Sequence, residues 1–272
     1  MKKFLVALVA LLPMAATASG STSTTYWWST QNGVDGVNNG FNDLTINNSD
    51  EVVGQPFANI GLNITGWSDH NPANDPTNIQ SNKEAYDQTV GQAHIYHWGS
   101  SKKVGVVNSD ENVNTSGDHA IDNGTSNNSY WADQDMVLLS FTSSVVLKGL
   151  QVSWQDLGSD GALNIGAIEV NQSQVADMKS GNKSWSDIFD STQMLSISDY
   201  IDTTQYYSIN NPSQRASSMW LVGFYNEGGD NYDAFKLMGV GGSKMVTAVS
   251  EPSIFALFAM GLMLIGRRKF RA

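Results

Sequence analysis

Cysteine is absent from this chain of 272 residues, and only 15 residues are Lys or Arg against 26 Asp or Glu. Without cysteine, a disulfide scaffold, an iron–sulfur cluster, a thiolate zinc site and a cysteine nucleophile are all excluded. Nucleic-acid binding requires clustered basic residues to neutralise phosphates, so we expect no nucleic-acid partner. The patterns G-x-x-x-x-G-K and G-x-S-x-G are also missing, which argues against a phosphate-binding loop and a serine-nucleophile elbow.

The N-terminus has the layout of an export signal. Lys2 and Lys3 precede an apolar run at 4–12, and Ala16-Thr17-Ala18 follows as a small-residue cleavage site. A charged segment, a short apolar segment and an A-x-A-like site together are typical of a signal peptide that is removed on secretion. We therefore predict a signal peptide over residues 1–18; the alternative is an uncleaved anchor.

The C-terminus combines a helix breaker, an apolar run and a basic cluster. Pro252 precedes an uncharged run at 254–266, which is followed by Arg267, Arg268, Lys269 and Arg271. This order predicts a membrane helix whose basic end stays in the cytoplasm. The 13 residues of the run reach only about 20 Å as a helix, so the span is short even if Ser253 and the long basic side chains extend it. The alternative is a core helix of a soluble domain.

The last part of the chain resembles a known family of sorting signals. Residues 246–271 are similar to the PEP-CTERM signal of exported proteins in Gram-negative bacteria, in which a Pro-Glu-Pro motif precedes the membrane helix. Here the motif maps onto Ser250, Glu251 and Pro252, with Ser in place of the first Pro. The resemblance implies that the membrane enzyme exosortase processes the chain near this motif. It also implies transient anchoring in the inner membrane and final placement at the cell surface or outside the cell.

The segment between the two ends is acidic and has the pattern of a β protein. Nine of the Lys and Arg residues and 25 of the Asp and Glu residues lie between residues 20 and 250. Turn dipeptides such as Asp35-Gly36 and Asn39-Gly40 separate short runs of β-forming residues. Strands are predicted at 59–67, 88–98, 135–142, 150–154, 162–170, 206–209, 219–225 and 234–240. We predict one all-β domain over 19–245, an antiparallel β-sandwich or jelly roll with a short helical insertion at 171–193, and a sorting tail over 246–272.

Parts of this domain also resemble the bodies of exosortase-dependent surface proteins. The similar segments include the run from His119 to Asn123, the strand at 135–141, and Tyr232-Asp233-Ala234-Phe235-Lys236 just before the tail. This resemblance implies a location and a β fold. It implies no catalytic residue.

Acidic residues near the predicted strand ends form the first candidate site. The candidate ligands are Asp118, Asp122, Asp135, Asp156 and Asp160. Calcium prefers six to eight oxygen ligands, and loops at the end of a β-sandwich can supply them. Aspartate also stabilises turns through its own backbone, so turn formation is the alternative explanation. Apart from this calcium, no cofactor is expected.

Histidines, glutamates and aromatic residues supply weaker candidates. His94 and His97 lie on a predicted strand, where residues three apart face opposite sides, so a shared zinc site is not expected. Glycoside hydrolysis needs two carboxyl groups, and only Glu169 lies within an apolar strand, so we predict no enzyme. The aromatic residues near predicted loops are Tyr26, Trp27, Trp28, Tyr96, Trp98, Tyr130 and Trp131. They can stack on sugars or fill the core, whereas Trp154 and Trp220 are predicted core residues.

Taken together, these patterns predict an exported surface or matrix protein that exosortase sorts. Its expected role is structural or adhesive, in association with extracellular polysaccharide. Two alternatives stay open from the sequence: a calcium-assisted carbohydrate-binding module and a secreted glycan hydrolase.

Overall fold

A computed structural model of the chain describes ten segments, all within the compact unit Thr24–Met245. The described residues are 25–38, 40–49, 59–69, 89–98, 102–107, 120–123, 134–156, 165–196, 206–223 and 233–244. The predicted signal peptide, the sorting tail, Asp118, Asp160, Tyr130 and Trp131 lie outside them. The side chains of Trp98 and Asp156 also lie outside the description, although their backbones are included.

The described residues form thirteen strands and a few short helices. The strands in the first half are β1 (Thr25–Ser29), β2 (Val34–Asn38), β3 (Phe41–Ile46), β4 (Leu62–Asp69), β5 (Val90–Trp98), β6 (Lys103–Val107) and β7 (Ile121–Asp122). Those in the second half are β8 (Asp135–Asp156), β9 (Gly166–Glu169), β10 (Leu195–Ser196), β11 (Tyr206–Ser208), β12 (Ser217–Gly223) and β13 (Ala234–Ser243). The helices are α1 (Gln172–Ser180), α2 (Trp185–Ile188) and two 3-10 turns, Thr30–Asn32 and Ser191–Gln193. The prediction of an all-β protein is confirmed.

Two long strands change their pairing partners along their length, and this closes the sheet into a ring. The first part of β8, 135–141, pairs with β4, whereas its second part, 146–156, pairs with β13. Strand β5 does the same, because 90–93 pair with β4 and 94–98 pair with β6. Since β13 also pairs with β6, the order β8-β13-β6-β5-β4 returns to β8. The pairing differs from the predicted jelly roll, and the two strands predicted at 135–142 and 150–154 are one continuous strand.

Side-chain alternation on β8 builds two apolar layers. Val137, Leu139 and Phe141 belong to a large cluster inside the ring, while Met136 and Leu138 belong to a second cluster on the other side. Burial of both faces explains why this stretch of sequence is almost continuously apolar. The strand therefore forms the wall between two cores.

Helices α1 and α2 cover the second cluster, at the position predicted for the helical insertion. The side chain of Asn171 accepts hydrogen bonds from the backbone N–H groups of Ser173 and Gln174, and Gly181 ends α1 in a left-handed conformation. Both features are common helix end signals. The indole of Trp185 in α2 is fully buried and donates to the carbonyl of Gln134 at 3.1 Å. Among the described residues, no helix combines the length and the apolarity that a membrane crossing requires.

The N-terminal region is more regular than its sequence suggests. The predicted turn at Asp35-Gly36 lies inside β2, so that prediction was wrong. The next dipeptide does connect two strands, because Asn38 pairs with Phe41 and Gly40 has a φ of 89°. Glycine adopts such positive φ values without steric cost, which makes it suitable for a two-residue hairpin.

Candidate functional site

A row of four residues crosses the outer face of the ring. Tyr96 on β5 pairs with Gly105 on β6, and Lys236 on β13 pairs with Trp154 on β8. The pair Val104 and Leu237 sets the register between β6 and β13, which aligns Gly105 with Lys236. We call Tyr96, Gly105, Lys236 and Trp154 the aromatic row.

Both aromatic members of the row are open to solvent. Tyr96 is 38% exposed and Trp154 is 39% exposed, and every other aromatic residue whose side chain the structure describes is less exposed. Gly105 contributes no side chain between Tyr96 and Lys236, so the row has a gap in its middle. Two exposed rings with a gap between them are suited to stacking against planar or ring-shaped ligands.

The exposure of Trp154 corrects the sequence prediction that placed it in the core. Val152 pairs with Leu237 and Trp154 pairs with Lys236, so β8 carries one residue more than β13 between these two pairs. This extra residue, Ser153, is a β-bulge, and a bulge reverses the alternation of the strand beyond it. Val152 therefore points into the core while Trp154 points outward. Trp220, the other predicted core tryptophan, is fully buried, and its indole donates to the carbonyl of Val145 at 3.0 Å.

Two lysines make the row locally cationic. The Nζ atom of Lys236 lies 5.3 Å from the ring centroid of Trp154, within the range of a cation–π interaction. Partial burial lowers the pKa of Lys236, and the positive charge of Lys103 lowers it further. Lys103 is two residues from Gly105 on β6, so strand alternation puts it on the same face as the row. The sequence offered no signal for this arrangement, because it joins residues from four strands.

His94 and His97 are on a strand, β5, as predicted, and they contact different residues. His94 accepts a hydrogen bond at Nδ1 from the backbone N–H of Asn42 at 3.3 Å, and its ring centroid is 4.9 Å from that of Phe41. The Nδ1 atom of His97 is 3.0 Å from Oδ1 of Asp35. In the described segments, no three His, Asp or Glu side chains are grouped so that they could hold a metal ion.

The three predicted calcium ligands that lie within the described residues fall in two places. Asp122 in β7 and Asp156 in β8 both pair with Ala234, on opposite sides of β13, and the side chain of Asp122 is buried. Asp135 is buried at the start of β8, at the other end of that strand, where it pairs with Ser68.

Two further buried aspartates, which sequence analysis missed, adjoin these positions. Asp69 accepts a hydrogen bond from the backbone N–H of Gln134, next to Asp135. Asp233 lies beside Ala234, and its backbone N–H donates to Oδ1 of Asn123 at 2.8 Å. Burial of a carboxyl group has no clear sequence signal, because aspartate is common in turns as well.

The remaining candidates are a glutamate and a shallow pocket. The side chain of Glu169 is 41% exposed and lies 3.7 Å from a guanidinium nitrogen of Arg215, so the burial suggested by its apolar strand is not found. A cavity of about 370 Å³ opens between β4, β5 and the end of α1. Its lining consists of Phe41, Trp67, Gly91, Gln92, Met178, Lys179 and Gly181.

Comparisons with protein-family models, with curated proteins and with solved structures found no match. The functional argument for this chain therefore depends on its own residues. Among the described residues, the aromatic row combines exposed rings and positive charge at one place.

Proposed function

We propose that this chain is an exported, non-enzymatic surface or matrix protein whose body contacts extracellular polysaccharide through the aromatic row. In this proposal residues 1–18 direct export and residues 254–266 hold the chain in the inner membrane. Exosortase processes it near Ser250, Glu251 and Pro252, while Arg267, Arg268, Lys269 and Arg271 keep the last residues in the cytoplasm. The observation that carries the binding part is the pair of exposed rings, Tyr96 and Trp154.

The geometry of the row suits an extended ligand. Neighbouring strands are about 4.8 Å apart, so three strand spacings separate the backbones of Tyr96 and Trp154 by roughly 14 Å measured along the sheet. A small molecule cannot cover both rings, whereas a polysaccharide chain can cross the whole row. The apolar faces of sugar rings pack well against aromatic faces, and exposed rings on a rigid sheet are already ordered for such contacts.

The setting of Glu169 supports a non-catalytic role. A glycosidase needs one carboxyl group in a pocket that raises its pKa and a second one a few ångströms away. The side chain of Glu169 is exposed and lies next to the guanidinium of Arg215. Glu169 therefore lacks the enclosed pocket that a general acid requires.

Calcium-assisted carbohydrate binding is a second candidate. It is favoured by the positions of Asp122 and Asp156, which flank Ala234 at the same level of the sheet. Calcium bound between such strand ends could order loops next to the aromatic row. If this version is correct, EGTA will abolish polysaccharide binding and added calcium will restore it; binding that is indifferent to EGTA argues for the metal-free version.

The sorting part is tested by mass spectrometry of the mature protein from exosortase-positive and exosortase-deficient cells. We expect a new N-terminus close to residue 19 in both strains and a new C-terminus near Pro252 only when exosortase is present. Replacing Arg267, Arg268, Lys269 and Arg271 with Gln should alter retention in the inner membrane. An intact chain with both ends uncut in both strains would overturn this part.

The binding part is tested by electrophoresis of the full chain in native gels that contain polysaccharide. Acidic and neutral polysaccharides are compared side by side. We expect Tyr96→Ala and Trp154→Ala to be retarded less than the native chain in each gel whose polysaccharide retards the native chain. The matched control is Val37→Ala, since Val37 is exposed on β2 and not on the row. If the native chain migrates equally fast in gels with and without polysaccharide, the proposal is contradicted.

A further inference from the structure

We propose that the aromatic row is selective for acidic polysaccharides, and that Lys236 and Lys103 bind the carboxylate groups of their sugars. This inference rests on the proposed function, because it names the ligand class of the same face. It is carried by the position of the lysines relative to the rings and to the gap at Gly105.

The first observation is the place of Lys236 within the row. It stands between Gly105 and Trp154, with its ammonium group directed over the indole at 5.3 Å from the ring centroid. The charge is thus held close to the ring on which a sugar would stack. In a uronic acid the carboxylate projects from the edge of the sugar ring, so a sugar stacked at this indole brings its carboxylate to the neighbouring ammonium group. A carboxylate bound to a lysine forms a charge-assisted hydrogen bond, which is stronger than a neutral one.

The second observation is the proximity of two like charges. Lys103 and Lys236 are on the same outer face and close enough for Lys103 to lower the pKa of Lys236, in addition to the effect of partial burial. Holding two ammonium groups near each other is unfavourable, and a carboxylate between them relieves the repulsion. A neutral sugar offers no such gain. Acidic sugars therefore have an advantage at this face that neutral sugars lack.

The net negative charge of residues 20–250 favours binding of an anionic chain at this face over the rest of the surface. Of the 26 acidic residues, 25 lie between residues 20 and 250, against nine basic residues. Most of the surface therefore repels an anionic chain, whereas the row combines two lysines with two stacking rings. Binding of an anionic chain should weaken when either the lysines or the rings of the row are removed, because the rest of the surface cannot replace them.

The experiment compares two ligands that differ in charge and in one methyl group per sugar. Polygalacturonate and its fully methyl-esterified form have the same sugar rings, but only the first carries carboxylates. Binding of each to the purified full chain is measured by titration calorimetry at constant ionic strength. We expect polygalacturonate to bind about tenfold more tightly than the ester, in line with one or two charge-assisted contacts on a partly exposed face.

Single substitutions separate the charges from the rings. Lys236→Gln and Lys103→Gln should each weaken binding of polygalacturonate by about fivefold and leave binding of the ester unchanged. Trp154→Ala should weaken the binding of both ligands, and Trp154→Phe should recover most of the lost affinity. The control is Lys148→Gln, since Lys148 is on β8, as Trp154 is, but lies outside the aromatic row, and its ammonium group donates to Gln214. Thermal unfolding of each variant confirms that the fold is kept.

Three outcomes distinguish this inference from the function on which it rests. Tighter binding of the acidic ligand that depends on Lys236 and Lys103 supports the inference. Equal binding of the two ligands, sensitive to Trp154→Ala but not to the lysine substitutions, overturns the inference and keeps the proposed function. Absence of binding to either ligand and to a neutral polysaccharide such as dextran overturns both.

Discussion

The Nδ1 atom of His97 lies 3.0 Å from Oδ1 of Asp35, and the Nζ atom of Lys102 lies 3.3 Å from the same oxygen. This cluster connects β5, β2 and the residue that precedes β6. The His97 side chain is largely buried, whereas Asp35 is mostly exposed. Lys102 also donates to the carbonyl of Gly33, which attaches the cluster to the start of β2. One titratable imidazole is therefore enclosed where three segments of the chain meet.

The first prediction concerns pH. Burial is the main influence on His97 and lowers its pKa below 6.5; the charge of Asp35 opposes this change, and that of Lys102 adds to it. The unfolded chain therefore takes up a proton at this residue more readily than the folded chain does. The unfolding free energy should be fully maintained above pH 6.5 and should fall as the pH drops below that value, toward the folded pKa.

Urea denaturation at pH 7.5 and pH 5.5 measures this effect. The loss of unfolding free energy between the two pH values should be smaller in His97→Gln than in the native chain. His94→Gln is the control, since it changes an exposed imidazole on the same strand. If His97→Gln shows the same loss as the native protein, the enclosed imidazole is not responsible for it.

The second prediction contrasts two tryptophans that the sequence pattern treats alike. Trp220→Ala should lower the unfolding free energy by about 3–5 kcal/mol, because it leaves a cavity in the core and removes the donor to Val145. Trp154→Ala should change it by less than about 1 kcal/mol, since the side chain is on the surface. Chemical denaturation of the two variants checks this, and comparable losses would mean that Trp154 is not exposed in solution.

The third prediction concerns two glycines that are needed for different reasons. A Cβ atom on Gly223 would lie 2.2 Å from the carbonyl oxygen of Asp135 and 2.8 Å from the Cα atom of Met136. Gly223→Ala should therefore force β12 and β8 apart and lower the unfolding free energy by about 1–3 kcal/mol or more.

Gly40, by contrast, has nothing within 4 Å of an added Cβ atom, but its φ of 89° strains any larger residue. Gly40→Ala should lower the unfolding free energy by about 1–2 kcal/mol, and Gly40→Asn by less, because asparagine tolerates positive φ better than alanine does. Thermal melts of the variants test this order. Equal stability of Gly40→Ala and the native chain would contradict the hairpin geometry.

The fourth prediction concerns the start of α1. Asn171→Ala should lower the unfolding free energy by about 1 kcal/mol, since it removes the acceptor for the N–H groups of Ser173 and Gln174. Asn171→Asp should be almost neutral, because an aspartate can accept the same hydrogen bonds. Amide hydrogen exchange in α1 should become faster only in the alanine variant. Unchanged exchange in that variant would show that packing of Val175 and Met178 alone holds the helix.

Sequence patterns were most informative where structure depends on neighbouring residues. The strands at 59–67, 88–98 and 234–240 and the helical insertion at 171–193 were predicted close to their observed positions. Strands β1, β2, β3 and β6 were missed, and each of them is only five or six residues long. Their backbones are held by partners far away in the chain, as in the pairing of β1 with β13. Local propensity carries little information about such pairings.

Only part of the candidate site was predicted from the sequence. The aromatic residues near predicted loops were recognised as possible sugar contacts, and Tyr96 was among them. Trp154 was assigned to the core because Leu150, Val152 and Trp154 alternate regularly in the sequence. The bulge at Ser153 arises only from the mismatch between β8 and β13, so no inspection of β8 alone can reveal it.

The amino-acid sequence by itself determined that the chain is rich in β-structure, that cysteine chemistry is excluded, and that a helical insertion lies within residues 171–193. These properties depend on composition and on contacts within a few residues. Only the tertiary structure decided that β8 and β5 close a ring, and that Tyr96, Gly105, Lys236 and Trp154 meet on one face. The physical reason is that register between distant strands is set by packing of the whole core, and a shift of one residue sends a side chain to the opposite face.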